Sequence, residues 1–417
     1  MMAGKATIKD NKPKLGLVEF VALMAFLTSL VALSIDAMLP ALNQIGSDLN
    51  SESPQHTHMI VSLFFLGMAL GQLCFGPYSD AKGRRAAILT GLIIFAIGTV
   101  ICMYSQSMEM LLFGRVVQAF GVSGPRIATI ALIRDEYAGE AMARVMSFIM
   151  MVFILVPMLA PAFGKAILMF ASWREIFLSF LAIGLAVGIW FFSRQQETLP
   201  KSKRSAFSWH QLFVSSKFIL THKEVMLYTV SMGFIFGAFL SYLSASQTIF
   251  EDFYQVGDLF PLYFAVLAFS IGFASFINGT LVMRLGMRKL CIWALYGNTI
   301  VSFILVISTL GFDGLPPLYV TVLLLSTNFF FIGILFGNLN SMAMLPLGHI
   351  AGLGAAIIGC FSSGFSVPIA LIINSFVSTS ILPIAIGFLV FALLALACVL
   401  SVGAASELPL KSSRRIK

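Results

Sequence analysis

The sequence predicts an all-α polytopic membrane protein, twelve transmembrane helices in two pseudo-symmetric six-helix halves. Three observations carry this expectation. The 417 residues are 59% hydrophobic and only 11% charged, with a mean hydropathy of +0.96, whereas soluble domains carry about 25% charged residues. The apolar residues fall in runs of roughly 20, enough to cross a bilayer core as a helix. A glycine-and-arginine loop pattern returns at an offset of 203 positions, close to half the chain length.

Runs bounded by charges and turn residues place the spans in order. The first is expected near 16–40, behind the basic stretch MMAGKATIKDNKPKLG. It is too long, and too poor in small residues at its end, to be a cleaved signal peptide. Five more follow near 59–79, 86–104, 108–133, 142–168 and 172–193. The second six lie near 224–249, 259–283, 289–310, 317–343, 351–375 and 380–403, with turn signals such as Asp313-Gly314 and Pro316-Pro317 between them. The chain thus divides into an N-terminal half (1–193), a cytoplasmic central loop (194–223), a C-terminal half (224–403) and a basic cytoplasmic tail (404–417). Within the central loop, SAFSWHQLFVSSKFILTHK is either an amphipathic surface helix with Trp209 and Phe213 toward lipid or a flexible tether.

Of the 26 lysines and arginines, all but Lys165, Arg174, Arg115 and Arg126 fall on one side of this map. The positive-inside rule makes that side cytoplasmic and puts both termini there. The net charge of +8 is therefore topology, and no basic domain stands outside the membrane to bind nucleic acid. Cys74, Cys102, Cys291, Cys360 and Cys398 lie in apolar runs without metal or disulfide spacing. His56, His58, His210, His222 and His349 all map to loops. No haem, metal or histidine-based catalytic group is expected among the spans, and no enzyme.

Among the 18 acidic residues, Asp36 alone lies well inside a span. A carboxylate there is expensive and marks a functional site by default. Desolvation favours the protonated form of such an acid and a nearby arginine favours the charged form, so movement of one relative to the other can switch a proton on and off. Arg115 is the expected counter-charge, since both residues fall in the outer part of the membrane. The alternative is a permanent structural Asp36–Arg115 pair. Arg126 lies 11 residues on, nearly three turns and roughly 16 Å deeper on the same face, and either lines the cavity or snorkels to the inner headgroups. One acid against two arginines disfavours a strongly cation-selective pocket. The second half offers Ser241, Tyr242, Ser244, Ser246, Gln247, Asn338 and Asn340 among many Phe and Met residues, a composition suited to broad-specificity binding. Pro157, Pro161 and Gly164 are expected to kink or loosen span five.

The repeat aligns Gly76-Pro77-Tyr78-Ser79-Asp80-Ala81-Lys82-Gly83-Arg84-Arg85 with Gly279-Thr280-Leu281-Val282-Met283-Arg284-Leu285-Gly286-Met287-Arg288, although Met283 answers Asp80. Duplicated halves around a central site are a common plan of secondary transporters. The first of these loops, Gly76, Asp80, Gly83, Arg84 and Arg85, resembles the signature between spans two and three of the major facilitator superfamily. The resemblance extends to Ser34-Ile35-Asp36-Ala37-Met38-Leu39-Pro40-Ala41-Leu42, Arg115-Val116-Val117-Gln118, Arg134-Asp135, Trp173-Arg174 and FGNLNSMAMLPLGHIAGLGAA from Phe336. These are similar to the drug:proton antiporters of the bicyclomycin and chloramphenicol resistance branch. Two strings depart from that pattern: Ala119 follows Gln118 where glycine is usual, and span five has Ala160-Pro161 and Gly164-Lys165 for Gly-Pro and Gly-Gly.

The resemblance implies the major facilitator fold and alternating-access export of amphipathic, drug-like molecules, neutral, zwitterionic or anionic, in exchange for protons. Asp36 and Arg115 would serve proton coupling, with Arg126, Gln118, Tyr242, Gln247, Asn338 and Asn340 in the substrate cavity. Gly76, Asp80, Gly83, Arg84, Arg85, Arg134 and Asp135 would form a cytoplasmic gate. No cofactor is expected beyond the proton as coupling ion. The expected partners are a small-molecule substrate, protons and the lipid of a bacterial cytoplasmic (inner) membrane, with the chain a monomer. A proton-coupled importer of a nutrient and a non-transporting sensor share the fold, so direction of transport rests on the resemblance.

Overall fold

The computed structural model describes residues 15–51, 53–137, 139–204 and 209–402. The basic N-terminal stretch and the 404–417 tail lie outside the described residues. In chain order the helices are α1 (Leu17–Asp36), α2 (Leu42–Asp48), α3 (Pro54–Lys82), α4 (Arg84–Met103), α5 (Met108–Glu136), α6 (Gly139–Leu168), α7 (Trp173–Arg194), α8 (Trp209–Thr221), α9 (Lys223–Gln247), α10 (Phe260–Leu285), α11 (Met287–Gly311), α12 (Leu318–Met344), α13 (Ala351–Ser375) and α14 (Leu382–Ser401). Eleven of them are long and apolar enough to cross a membrane by length and composition. The 30-residue α6, with an apolar stretch over Leu155–Leu168, fills the place of the remaining span.

Helix boundaries follow local chemistry. Ser53 caps α3 by accepting from the His56 amide, and Pro54 occupies the first turn, where a missing N–H costs nothing. The second span therefore begins five residues before the hydropathy run, and His56 and His58 are helical. That corrects their expected placement in loops; His210 likewise lies in α8 and His222 caps α9. Ser172 and Glu175 form a reciprocal capping box on α7. The stretch expected to be surface helix or tether is helical as α8, with Phe213 70% exposed.

The two halves share their turn geometry. Gly83 between α3 and α4 has φ +107°, and Gly286 between α10 and α11 has φ +79°, a conformation that side chains resist. The duplicated loop therefore keeps glycine where the backbone demands it. The start of α1 meets the end of α7, through Arg194 and Trp190 on Glu19. The start of α11 meets the end of α14, through Arg288 on the Val402 carbonyl. We call this end, which carries the Gly83 turn, proximal, and the end carrying α2 distal. The halves face each other chiefly through α3 on α13 and α6 on α10, with α9 completing the contact.

Candidate functional site

Asp36 is the last residue of α1 and only 5% exposed. Among the described residues it makes no ion pair. Arg115, the expected counter-charge, does not bond it, and the reason lies in how Arg115 is held. Its Nη1 donates to the Ser34 carbonyl at 3.0 Å and to Gln118 Oε1 at 2.6 Å, and its Nε donates to the Ile60 carbonyl at 3.3 Å. The guanidinium also lies over the Phe64 ring, 4.2 Å from its centroid. Arg115 is thus fully buried, balanced by carbonyl oxygens and an aromatic face instead of a carboxylate. Only Nη2 lacks a partner.

Gln118, expected in the cavity, is also fully buried, between Arg115 and Thr99 Oγ1 of α4, to which its Nε2 donates at 2.8 Å. It belongs to helix packing. Arg126 is half-buried, and its Nη1 lies 2.9 Å from the Met68 sulfur. It joins no ion pair among the described residues. A cation with a thioether neighbour, on a helix otherwise apolar at that depth, is available to an anionic group.

Two neighbours close around Asp36. A Cβ on Gly164 of α6 would collide with the carbonyl oxygen of Ala37. Only glycine lets α6 touch the chain just beyond the acid, and α6 continues as helix through Pro157 and Pro161. From the other half, Tyr242 of α9 lies within electrostatic reach of Asp36. Tyr242 is 1% exposed, packs edge-on against Phe329 at 4.8 Å and leaves its hydroxyl unpartnered. Phe329, Phe239, Phe336 and Phe236 continue as an aromatic wall that reaches Phe65 of α3. A recess of about 350 Å³ lined by Met103, Tyr104, Arg174 and Leu178 shares no residue with this set.

The other second-half candidates take different places. Gln247 is a distal bridge: Nε2 donates to the Pro40 carbonyl at 2.8 Å and to Glu251, while Oε1 accepts from the Asn43 amide at 3.1 Å. Asn43 also donates to Asp252 at 2.9 Å, and Lys165 pairs with Asp258 at 3.2 Å. Asn338 of α12 donates to Asn278 of α10 at 2.6 Å, and Asn340 is exposed. Ser241, Ser244 and Ser246 return their hydroxyls to carbonyls of their own helix. The hydrogen bonds made across the halves by Gln247, Asn43, Gln55, His58 and Ser62 lie in the distal part.

The proximal cluster is built from the first half and the start of the linker that follows it. Arg84 joins Asp80, Ser79 Oγ at 3.1 Å and Asp135 at 3.0 Å, and Arg134 is exposed. The negative charge on the α4 N-terminus comes from Glu197, whose two oxygens accept the Arg84 and Arg85 amides at 2.9 and 3.1 Å. Asp80, expected in the gate, is taken up by Arg84. Sequence reasoning missed Glu197, although a lone acid in a basic loop beside a helix start was an available signal.

Eleven apolar spans and α6 in the place of a twelfth, in two repeats, with a buried acid and two buried or half-buried arginines on one side of the interface, define a membrane transporter of the two-repeat helical class. Residues 24–371 match the model of the Major Facilitator Superfamily, and the chain belongs to that family. It is a multi-pass transporter, not an enzyme. Among its relatives are an uncharacterised MFS-type transporter, YdgK, of Bacillus subtilis, 29% identical over 81% of this chain and 84% of that one. The bicyclomycin resistance protein homolog of Haemophilus influenzae is 28% identical over 82% and 85%. The multidrug resistance protein MdtL of Salmonella dublin is 27% identical over 61% and 63%. The fold is similar to a partially occluded, inward-open form of the xylose transporter XylE from E. coli, with TM-score 0.71 and 13% identity over 92% of this chain and 96% of that one. It is also similar to the human organic anion transporter MFSD10, with TM-score 0.66 and 15% identity over 93% and 99%.

Proposed function

We propose that this protein exports amphipathic small molecules, neutral, zwitterionic or anionic, in exchange for protons, with Asp36 as the proton site. The observation that carries the reading is that Asp36 is buried without an ion-pair partner among the described residues, while Arg115 is held by the Ser34 and Ile60 carbonyls and Gln118. An acid so placed exchanges its proton when the halves move, because its environment is built from both of them. The similarity to bicyclomycin and multidrug resistance proteins supports the export direction. Arg126 supports a preference for neutral and anionic compounds over cations. The count of basic residues supports cytoplasmic termini, hence a proximal side facing the cytoplasm and a distal side facing out, in a bacterial inner membrane. The hydrogen bonds that join the halves at the distal end, Gln247 to Pro40 and Gln55 to Val377 among them, support reading this conformation as closed on the outside. The protein works as a monomer with protons as its only coupling ion.

Drug-triggered proton release in inverted vesicles with an acidic interior tests this. Wild type is expected to release protons on addition of chloramphenicol-like compounds, and Asp36→Asn is expected to show none while remaining folded. Lack of release by wild type with neutral, anionic and cationic compounds alike would turn the assignment toward a carrier of a narrow nutrient class. Competition by a lipophilic cation as strong as by neutral drugs would remove the charge preference.

A further inference from the structure

Along one face of α3, Gln55, His58 and Ser62 follow at helical spacing and cross to the other half. Gln55 Nε2 donates to the Val377 carbonyl at 2.7 Å, His58 Nε2 meets Thr248 Oγ1 at 3.2 Å, and Ser62 Oγ meets Ser244 Oγ at 3.3 Å. Thr248 is the first residue of a π-helical turn, 248–253, that ends α9; such turns cluster at functional positions. His58 is 2% exposed and its Nδ1 has no partner. The antiparallel register of α3 and α13, fixed by Gln55 on Val377 and by Gln72 against Gly359, sets Asn374 opposite His58. Asn374 is 1% exposed, and both polar atoms of its amide are unpartnered. Three buried, unsatisfied polar atoms thus share one layer of the distal seam, where each costs stability until water reaches it.

We propose that His58 is a second proton-binding site, loaded from the distal side, and that its protonation opens the distal seam at the His58–Asn374 layer. A second proton gives the ring two N–H donors and a full charge, which a dry seam tolerates only beside a carboxylate. None faces it. From α9 and its terminal turn, Glu251 accepts from Gln247 through one oxygen and leaves the other unpartnered, Asp252 accepts from Asn43 and from Thr248 and so stands one hydroxyl away from the ring, and Tyr242 lies deeper. From α2, Asp48 accepts from Trp173. From α5, Glu109 lies toward His56 on the same helix as His58, and Arg115 grips the Ile60 carbonyl, adding positive charge on the His58 side. From α4, Arg84 and Arg85 are at the proximal end, and so is Cys360, the titratable residue of α13. Separation of the halves hydrates the imidazolium and the Asn374 amide together. An acidic exterior then favours the outward-open form, the one in which a proton can next reach Asp36.

The test uses the full chain in proteoliposomes, with native cysteines replaced by alanine, spin labels at Gln44→Cys and Leu259→Cys, and Asp36→Asn present throughout. That background keeps Asp36 silent, so failure here leaves the proton-site reading standing. Lowering the pH from 8 to 5 is expected to raise the ratio of long to short label distances by up to about tenfold per unit, the limit for one linked proton. His58→Gln should abolish the response. Asn374→Asp, which places a carboxylate opposite the ring, should keep the seam closed at pH 5, and this variant decides the matter if His58→Gln does not fold. A flat response with His58 present, or an undiminished one in either variant, overturns the proposal.

Discussion

The two halves solve one packing problem with the same polar bridge, and only one of them adds a charge to it. In the first half Gln118 of α5 donates to Thr99 of α4. In the second, Asn328 of α12 accepts from Ser302 of α11 at 3.0 Å and from Asn298 at 3.0 Å. Thr99 and Ser302 stand 203 positions apart, as Gly83 and Gly286 do. Gln118 and Asn328 stand 210 apart, as do the first residues of α5 and α12. At the same 210 offset, Arg115 is answered by Leu325, which is 2% exposed. The bridge is therefore architecture common to both repeats, and Arg115 is the element particular to the half that holds Asp36. A buried amide–hydroxyl bridge joins helices by satisfying the atoms it pairs, although Asn328 leaves its Nδ2 without a partner. A buried guanidinium needs the Ser34 and Ile60 carbonyls as well, and so ties α1 and α3 to α5.

The sharpest way to break the comparison is Arg115→Leu, which makes the first half like the second. We expect transport to fall more than 100-fold, while the melting temperature moves by only a few degrees, since an apolar side chain replaces a buried charge without a carboxylate partner. A variant that transports normally would reduce Arg115 to packing. Next in size is Gly164→Ala, which is expected to lose both transport and about 1–3 kcal/mol of stability because the new methyl group meets the Ala37 backbone. Gly337→Ala in α12, where nothing lies within 4 Å of a built Cβ, should be neutral in the same melting and flux measurements. Asn328→Leu is expected to cost about 1–2 kcal/mol by leaving Asn298 and Ser302 short of an acceptor, with flux nearly unchanged. A large flux loss there would mean that the bridge carries function in both halves. The smallest change should come from Glu197→Gln, about 0.5–1 kcal/mol through weaker neutralisation of the α4 terminus, read by thermal melting at low and high salt.

The helices were legible in the sequence because hydropathy runs, capping residues and turn glycines are local signals. The repeat was legible because the Gly83 and Gly286 backbones need the same residue. What the sequence did not reveal was partnership across space. Arg115 was expected to face Asp36 by depth, yet carbonyl oxygens, which every residue carries and no motif marks, satisfy it instead. Gln118 and Gln247 looked like cavity residues because they are polar in apolar spans. Their amides instead join helices, one within a half and one between halves, and residue type alone does not distinguish those uses. His58 was placed in a loop because hydropathy falls there, whereas the Ser53 cap and Pro54 start the helix before it.

Beneath the polar row of Gln55, His58 and Ser62, the next contact between the halves is Phe65 edge-on to Phe236, at 5.1 Å. Those rings offer no hydrogen-bonding atom, and apolar gaps in proteins stay dry. Water that wets the polar layer therefore meets an insulating one before the level of the aromatic wall. A carrier driven by a proton gradient short-circuits if a continuous file of water connects its two faces. Under the proposed proton coupling, the Phe65–Phe236 contact would break that file at the seam and keep the membrane potential from leaking away when the layer above it loosens.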